Sequence, residues 1–89
     1  MDIKRALLEQ IEIVIKKLEM EYVDEIKSGV MKLIYIRYMN AVDILKNNKD
    51  INKINIIGGV RAYMDSYNDY NNPLLGGLHK AEKLNKQLI

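Results

Sequence analysis

Asp65, Asp69 and His79 are the residues of this chain whose types and spacing come nearest to a catalytic or metal-binding set. The two aspartates are four residues apart, and Arg61 lies four residues before Asp65. One helix face would carry all three side chains, and paired carboxylates there can hold a divalent cation or act as acid and base. However, there is one histidine, no cysteine and no Glu-x-x-His pattern to complete a site. We therefore expect a solvated face with an Arg61–Asp65 ion pair, no metal or other cofactor, and no enzyme activity.

Two glycine pairs, Gly58-Gly59 and Gly76-Gly77, raise the question of phosphate binding. A phosphate-binding turn needs a preceding strand, a following helix and a Lys or Ser/Thr placed on the phosphate. Neither pair has the spacing of a P-loop or of a dinucleotide-binding turn. Each pair follows two apolar residues and precedes another. We interpret both pairs as places where the backbones of neighbouring helices approach closely.

Tyrosines form the most distinctive pattern in the chain. Tyr63, Tyr67 and Tyr70 continue an apolar series from Ile56 to Leu74 that steps by three or four residues, the spacing of one helix face. Tyrosine offers a large apolar area with a polar tip, which suits protein interfaces, but it could also replace the missing Phe and Trp in the core. The sequence leaves both alternatives open. The candidate partner-binding face at 61–72 consists of Arg61, Tyr63, Asp65, Tyr67, Asp69 and Tyr70.

Residues 30–47 carry a wide apolar arc. Leu33, Ile36 and Met39 fall outside the main apolar line of this segment. A helix that is apolar on more than one side is either central in its fold or part of an oligomer interface. We therefore predict a homodimer through this helix. The candidate interface residues are Met31, Ile34, Tyr35, Tyr38 and Val42.

The spacing of apolar residues predicts an all-α protein, a small four-helix bundle of antiparallel hairpins forming one domain over 1–89. The predicted helices cover 3–27, 30–47, 51–70 and 73–88. Asp2 and Asp50 are placed to cap helix N-termini, and Pro73 suits the first turn of the last helix. An α+β alternative has short strands near 33–39 and 53–57. It rests on the strand-favouring residues of the first segment and on the cost of Gly58-Gly59 inside a helix.

The composition of the chain indicates where the protein is located and which sites it lacks. The chain has 89 residues, a net charge of +2 and no cysteine, which excludes disulfides and thiolate metal sites. No apolar run approaches the roughly 20 residues of a membrane span, and the charged start lacks the apolar core of a signal peptide. We expect a cytoplasmic protein. The heavy use of Ile, Asn and Lys suggests a low-GC bacterium or its phage.

These observations favour a non-enzymatic protein-interaction or regulatory bundle whose partner is another protein. Two alternatives stay open. In size and four-helix plan the chain resembles small cytoplasmic immunity proteins that protect bacteriocin producers, a likeness of architecture alone. The last predicted helix also carries a basic row that could contact nucleic acid, although the modest net charge argues against it. That row consists of Lys80, Lys83 and Lys86.

Overall fold

The fold consists of α-helices joined by short turns. A computed structural model describes residues 2–67 and 72–88, and no strand occurs within these ranges. The predicted all-α bundle is therefore confirmed, and the α+β alternative with strands near 33–39 and 53–57 is wrong. The helices are α1 (Ile3–Glu21), α2 (Gly29–Lys46), α3 (Gly59–Ser66) and α4 (Pro73–Leu88), with 3₁₀ helices at Glu25–Lys27 and Ile51–Lys53.

The first helix is shorter than predicted. It begins as expected, because the Asp2 carboxylate accepts a hydrogen bond from the Lys4 backbone N–H at 3.0 Å. It ends at Glu21 instead of residue 27, and the following 3₁₀ helix turns back against α2. This turn brings Tyr22 and Ile26 onto the core, while Val23 stays exposed. Apolar residues keep a helical spacing up to Ile26, but the chain turns after Glu21 so that the 3₁₀ helix can pack against α2.

The third helix is also shorter than the predicted 51–70. Gly58 has a φ of 99°, a left-handed conformation that interrupts any continuous helix. Helix α3 therefore begins only at Gly59 and ends at Ser66. The predicted cap Asp50 acts on the short 3₁₀ helix, where its carboxylate accepts from the Asn52 N–H at 3.0 Å. Residues 68–71 of the predicted helix and its following turn lie outside the described residues.

Helix α1 packs against both α2 and α4, and the shorter α3 also packs against both of them. Gly77 allows the close approach of α4, because a Cβ there would lie 3.3 Å from a Val14 methyl carbon. The Gly77 carbonyl also accepts a hydrogen bond from the Gln10 side chain at 3.2 Å. The predicted role of the second glycine pair in close helix packing is therefore confirmed at Gly77. The core is aliphatic, supplemented by Tyr38, Tyr63 and Met31.

Within the part of the chain that the structure describes, two polar side chains are buried in this core without a hydrogen-bond partner. The Tyr38 hydroxyl and the Asn85 side-chain amide lack partners, and each residue is 1% exposed. Burial raises the pKa of the Tyr38 hydroxyl well above its ordinary value, and the nearby Glu82 carboxylate adds to this effect. Tyr38 is therefore neutral, and both residues destabilise the fold relative to apolar side chains of similar shape.

Among the described residues, no helix combines the length and apolar character needed to cross a membrane.

Candidate protein-interaction surfaces

The tyrosine-rich segment is divided between core and surface. Tyr63 is 3% exposed and belongs to the core, whereas Tyr67 is 38% exposed. The two rings stack with their centroids 5.0 Å apart. Tyr63 therefore supports Tyr67 from below, and Tyr67 is the part of this pair that a partner protein could contact.

Asn72 holds Tyr63, the buried member of this pair. Its side-chain amide donates to the Tyr63 hydroxyl at 3.0 Å and also to the Tyr22 hydroxyl after α1. Its side-chain oxygen accepts from the Leu74 backbone N–H at 2.9 Å, which caps α4. One side chain thus joins three helical elements. The sequence signal that could have identified it is an Asn directly before Pro73 at the first position of a helix.

The structure brings together only part of the predicted 61–72 face. Arg61 and Asp65 are exposed on α3, but the described residues form no Arg61–Asp65 ion pair. Asp69 and Tyr70 lie outside the described residues. Met64, which sequence analysis did not select, is 37% exposed and lies one turn from Arg61 on the same side of α3. We use the name α3 face for Arg61, Met64, Asp65 and Tyr67.

Glu82 on α4 holds the start of α3. Its carboxylate accepts a hydrogen bond from the Gly58 backbone N–H at 3.2 Å and from the Val60 N–H at 2.7 Å. The left-handed Gly58 turns these N–H groups toward one acceptor, and the positive end of the α3 dipole favours the negative charge. The first glycine pair therefore does form an anion-binding turn, but the anion is a side chain of the same protein. Sequence analysis missed this contact, because Glu82 is 22 residues or more from its partners.

The predicted dimer interface on α2 requires a correction. Met31, Ile34 and Tyr38 are at most 2% exposed within a single chain, so they pack against other helices of the same molecule. Tyr35 and Val42 are half-buried at the edge of this packing. The Tyr35 hydroxyl donates to the Glu19 carboxylate at 2.6 Å, a hydrogen bond that raises the pKa of Tyr35. None of the three buried residues is accessible to a second copy.

The opposite side of α2 is exposed and carries three large apolar side chains. Leu33, Ile36 and Met39 are 45%, 43% and 43% exposed, although the inner face of the same helix is fully packed. We call these three residues the outer α2 stripe. Met39 also borders an open groove of about 380 Å³ between α1 and α2. The groove is lined by Glu12, Ile15, Lys16, Glu19, Met39 and Val42.

The predicted basic row lies on the solvent side of α4. Lys80, Lys83 and Lys86 are exposed, and none takes part in an ion pair among the described residues. The single acidic residue of this helix, Glu82, is turned toward the start of α3. The three lysines therefore present positive charge that nothing on α4 neutralises.

Of the three residues considered for catalysis or metal binding, Asp69 lies outside the described residues. Asp65 lies on α3 and His79 on the exposed side of α4. Within 2–67 and 72–88, no group of three or more His, Cys, Asp or Glu side chains is arranged to hold a metal ion.

The chain is similar to known proteins over nearly its whole length. A family model described as "YeeD uncharacterised protein" matches residues 1–89. The chain is similar to "Uncharacterized protein YeeD" of Bacillus subtilis (strain 168), with 30% identity over 100 aligned positions that cover 98% of this chain and 93% of the relative. No solved structure matches the chain. Because the family model spans the full sequence, this chain belongs to the YeeD family.

Proposed function

We propose that this protein is a non-enzymatic protein-interaction domain that self-associates through the outer α2 stripe and binds another protein through the α3 face. The observation that carries the proposal is the apolar outer side of α2. A helix whose inner face is fully packed still presents Leu33, Ile36 and Met39, each more than 40% exposed. Scattered apolar residues are normal on protein surfaces, but three within two turns of one helix indicate a contact surface.

The expected strength of this self-association is modest. Full burial of a Leu, Ile or Met side chain contributes about 1.5–3 kcal/mol. A little under half of each stripe residue is exposed, and a two-fold dimer buries six of them, which gives about 4–8 kcal/mol in total. The loss of translational and rotational freedom on association costs about as much or more. Contacts at the neighbouring groove must therefore contribute, and we expect a weak, concentration-dependent dimer.

The α3 face is the surface that we propose for a different partner protein. It combines two opposite charges, Arg61 and Asp65, with the partly exposed side chains of Met64 and Tyr67. Aromatic, Met and Arg side chains are enriched at protein interfaces. Asn72 holds the Tyr63 hydroxyl, and the Tyr63 ring stacks on Tyr67. Little conformational entropy is therefore lost when a partner packs on Tyr67. We place this interaction in the cytoplasm, which the absence of cysteines supports in general terms.

Two substitutions of the same type test the self-association. Ile36→Glu places a carboxylate in the outer α2 stripe, and Ile13→Glu places one at an even more exposed position on α1, where Ile13 is 60% exposed. We expect sedimentation equilibrium to show a weak dimer for the wild type and for Ile13→Glu but a monomer for Ile36→Glu. Equal sedimentation of all three proteins as strict monomers up to millimolar concentration would contradict the homodimer.

A separate experiment tests the α3 face. Arg61→Ala and Asp65→Ala change exposed side chains outside the core, and Arg5→Ala is a control on the exposed side of α1. We expect quantitative capture of proteins from the native host to lose the same protein with both α3 variants and to retain it with the control. Identical capture profiles for all variants would remove the α3 face from the proposal.

A second candidate function, nucleic-acid association, is supported by the unneutralised lysines of α4. We propose it as the alternative because Lys80, Lys83 and Lys86 share the exposed side of one helix, with no acidic residue beside them that points outward. Contacts of this type would make affinity fall steeply with salt. This alternative would be excluded if the protein did not bind duplex or single-stranded DNA at low salt. It would also be excluded if binding were unchanged after replacement of all three lysines by Gln.

A further inference from the structure

We propose that two copies of this chain pair through antiparallel α2 helices about a two-fold axis, with Lys32 of each copy opposite Asp43 of the other. This inference rests on the proposed self-association and specifies its face, direction and register. The juxtaposition that carries it is a palindromic arrangement of exposed residues on the outer side of α2.

Four exposed residues define that arrangement: Lys32, Ile36, Met39 and Asp43, which are separated by four, three and four residues. Such spacing keeps all four on one side of a helix. Their positions are symmetric about the midpoint between residues 37 and 38. In an antiparallel pair centred on this midpoint, Ile36 of each copy meets Met39 of the other, and Lys32 meets Asp43. Apolar contacts thus lie at the axis, and opposite charges lie at both ends.

The charges determine the direction of the pair. A parallel pairing in register would place Lys32 against Lys32 and Asp43 against Asp43, and facing like charges disfavour an interface. The antiparallel pairing converts both repulsions into attractions. An isologous two-fold contact of this kind also closes on itself. It therefore forms a dimer and does not extend into a filament of subunits. The charge pattern therefore favours a second copy of this chain as the occupant of the stripe.

Leu33 and Val42 flank this contact on opposite sides. With 3.6 residues per turn, they project to either side of the line from Lys32 to Asp43. A two-fold antiparallel pair keeps each flank beside the same flank of the other copy, so Leu33 lies along one edge of the contact with Leu33 of the second copy. Val42, which lines the groove between α1 and α2 together with Met39, lies along the other edge. The groove edge therefore adds area that the outer α2 stripe alone does not supply.

The two charged residues differ in how firmly they are held. The Asp43 carboxylate accepts hydrogen bonds from Asn47 and from Lys49, each at 2.6 Å, and its side chain stays 51% exposed. Lys32 is exposed and forms no ion pair among the described residues. Lys49 offsets part of the charge of Asp43, so this pairing contributes mainly to the direction of the dimer and less to its affinity.

Charge reversal with a mixing control tests the register. Lys32→Asp makes both ends of the α2 contact acidic, and Asp43→Lys makes both ends of that contact basic. Each variant alone should dimerise about tenfold more weakly than the wild type, because both end pairs become repulsive. An equimolar mixture of the two variants, and the double variant with both changes, should regain wild-type affinity. Circular dichroism checks that each chain is folded, and sedimentation equilibrium measures the dissociation constants.

The possible results distinguish a different register from a different dimer face and from a monomer. The antiparallel register is supported if both single variants dimerise more weakly and if the mixture and the double variant regain the wild-type dimer affinity. A wild-type dimer that loses nothing on charge reversal, or a mixture that does not recover, overturns the register. If Ile36→Glu also leaves that dimer intact, the association uses another face. A wild type that stays monomeric removes the homodimer itself, and with it this inference.

Discussion

Removal of the Glu82 carboxylate should destabilise the protein by releasing the start of α3. Glu82→Ala leaves the Gly58 and Val60 N–H groups, now 3.2 and 2.7 Å from a carboxylate, without their acceptor. Glu82→Gln keeps one oxygen acceptor but loses the charge that the helix dipole favours. Both substitutions leave the sequence of α3 unchanged.

The size of the effect follows from the two hydrogen bonds. A hydrogen bond to a charged group contributes about 1.5–3 kcal/mol when its loss leaves the donor buried. Glu82 is partly exposed, so water replaces some of each contact, and the loss resembles that of a helix N-cap, about 0.5–2 kcal/mol. We expect a decrease in the free energy of unfolding of about 2 kcal/mol for Glu82→Ala and about 1 kcal/mol for Glu82→Gln. A domain of this size has a stability of about 4–13 kcal/mol, so both variants should remain folded.

Urea denaturation followed by circular dichroism measures the difference. With an m-value of about 1 kcal/mol per molar urea, the midpoint for Glu82→Ala should fall by about 2 M. Glu12→Ala is the matched control, because the Glu12 carboxylate forms one exposed ion pair, with Lys46 at 3.1 Å. That change should cost less than about 1 kcal/mol. Equal midpoints for Glu82→Ala and Glu12→Ala would refute the role of Glu82 as the cap of α3.

Three further predictions concern the core. Gly77→Ala should destabilise the protein by about 1–2 kcal/mol, because its Cβ would lie 3.3 Å from Val14. Gly76→Ala should stabilise it by about 0.5–1 kcal/mol, because a Cβ there would have nothing within 4 Å. Equal thermal stability of the two variants would contradict this packing. Asn85→Leu should stabilise by about 1–2 kcal/mol, since it removes a buried amide without a partner, and a lower urea midpoint would show that this amide is satisfied in solution. Stability should fall as the pH rises above about 10, the ordinary pKa of tyrosine. Tyr38, with its raised pKa, keeps its proton in the folded state, whereas the unfolded chain loses it. Below that pH Tyr38 is protonated in both states, so its titration costs no stability. Urea midpoints measured from pH 9 to 11 should therefore fall less steeply for Tyr38→Phe than for the wild type, and parallel curves would refute the raised pKa.

Much of the fold could be predicted from the spacing of apolar residues. Helices α2 and α4 agree with the predicted 30–47 and 73–88 to within one residue at each end, because their apolar periodicity continues to clear boundary residues. Helices α1 and α3 were predicted too long. In both cases the periodicity continued while the backbone left the helix, at the turn before Glu25–Lys27 and at the left-handed Gly58. Periodicity shows which residues are buried, but it does not show where packing requires the chain to turn.

The candidate surfaces were harder to predict. The wide apolar arc of α2 correctly indicated a helix with two apolar sides, but the sequence could not show which side faces the core. The predicted interface was assigned to the inner side, and the exposed side is the outer α2 stripe. Tyr63 and Tyr67 are adjacent on the predicted seam, yet one is core and the other surface, because α3 ends between them. The contacts made by Glu82 and Asn72 are long-range in sequence, so no local pattern reveals them.

Self-association through the outer α2 stripe is tested most directly by sedimentation equilibrium of Ile36→Glu beside Ile13→Glu and the wild type. We predict a reversible dimer for the wild type and Ile13→Glu, and at least about a hundredfold weaker association for Ile36→Glu, since a two-fold contact buries the new carboxylate twice. A wild type that remains monomeric up to millimolar concentration, or an Ile36→Glu variant that dimerises as well as Ile13→Glu, would contradict the claim that the outer side of α2 is an interaction surface.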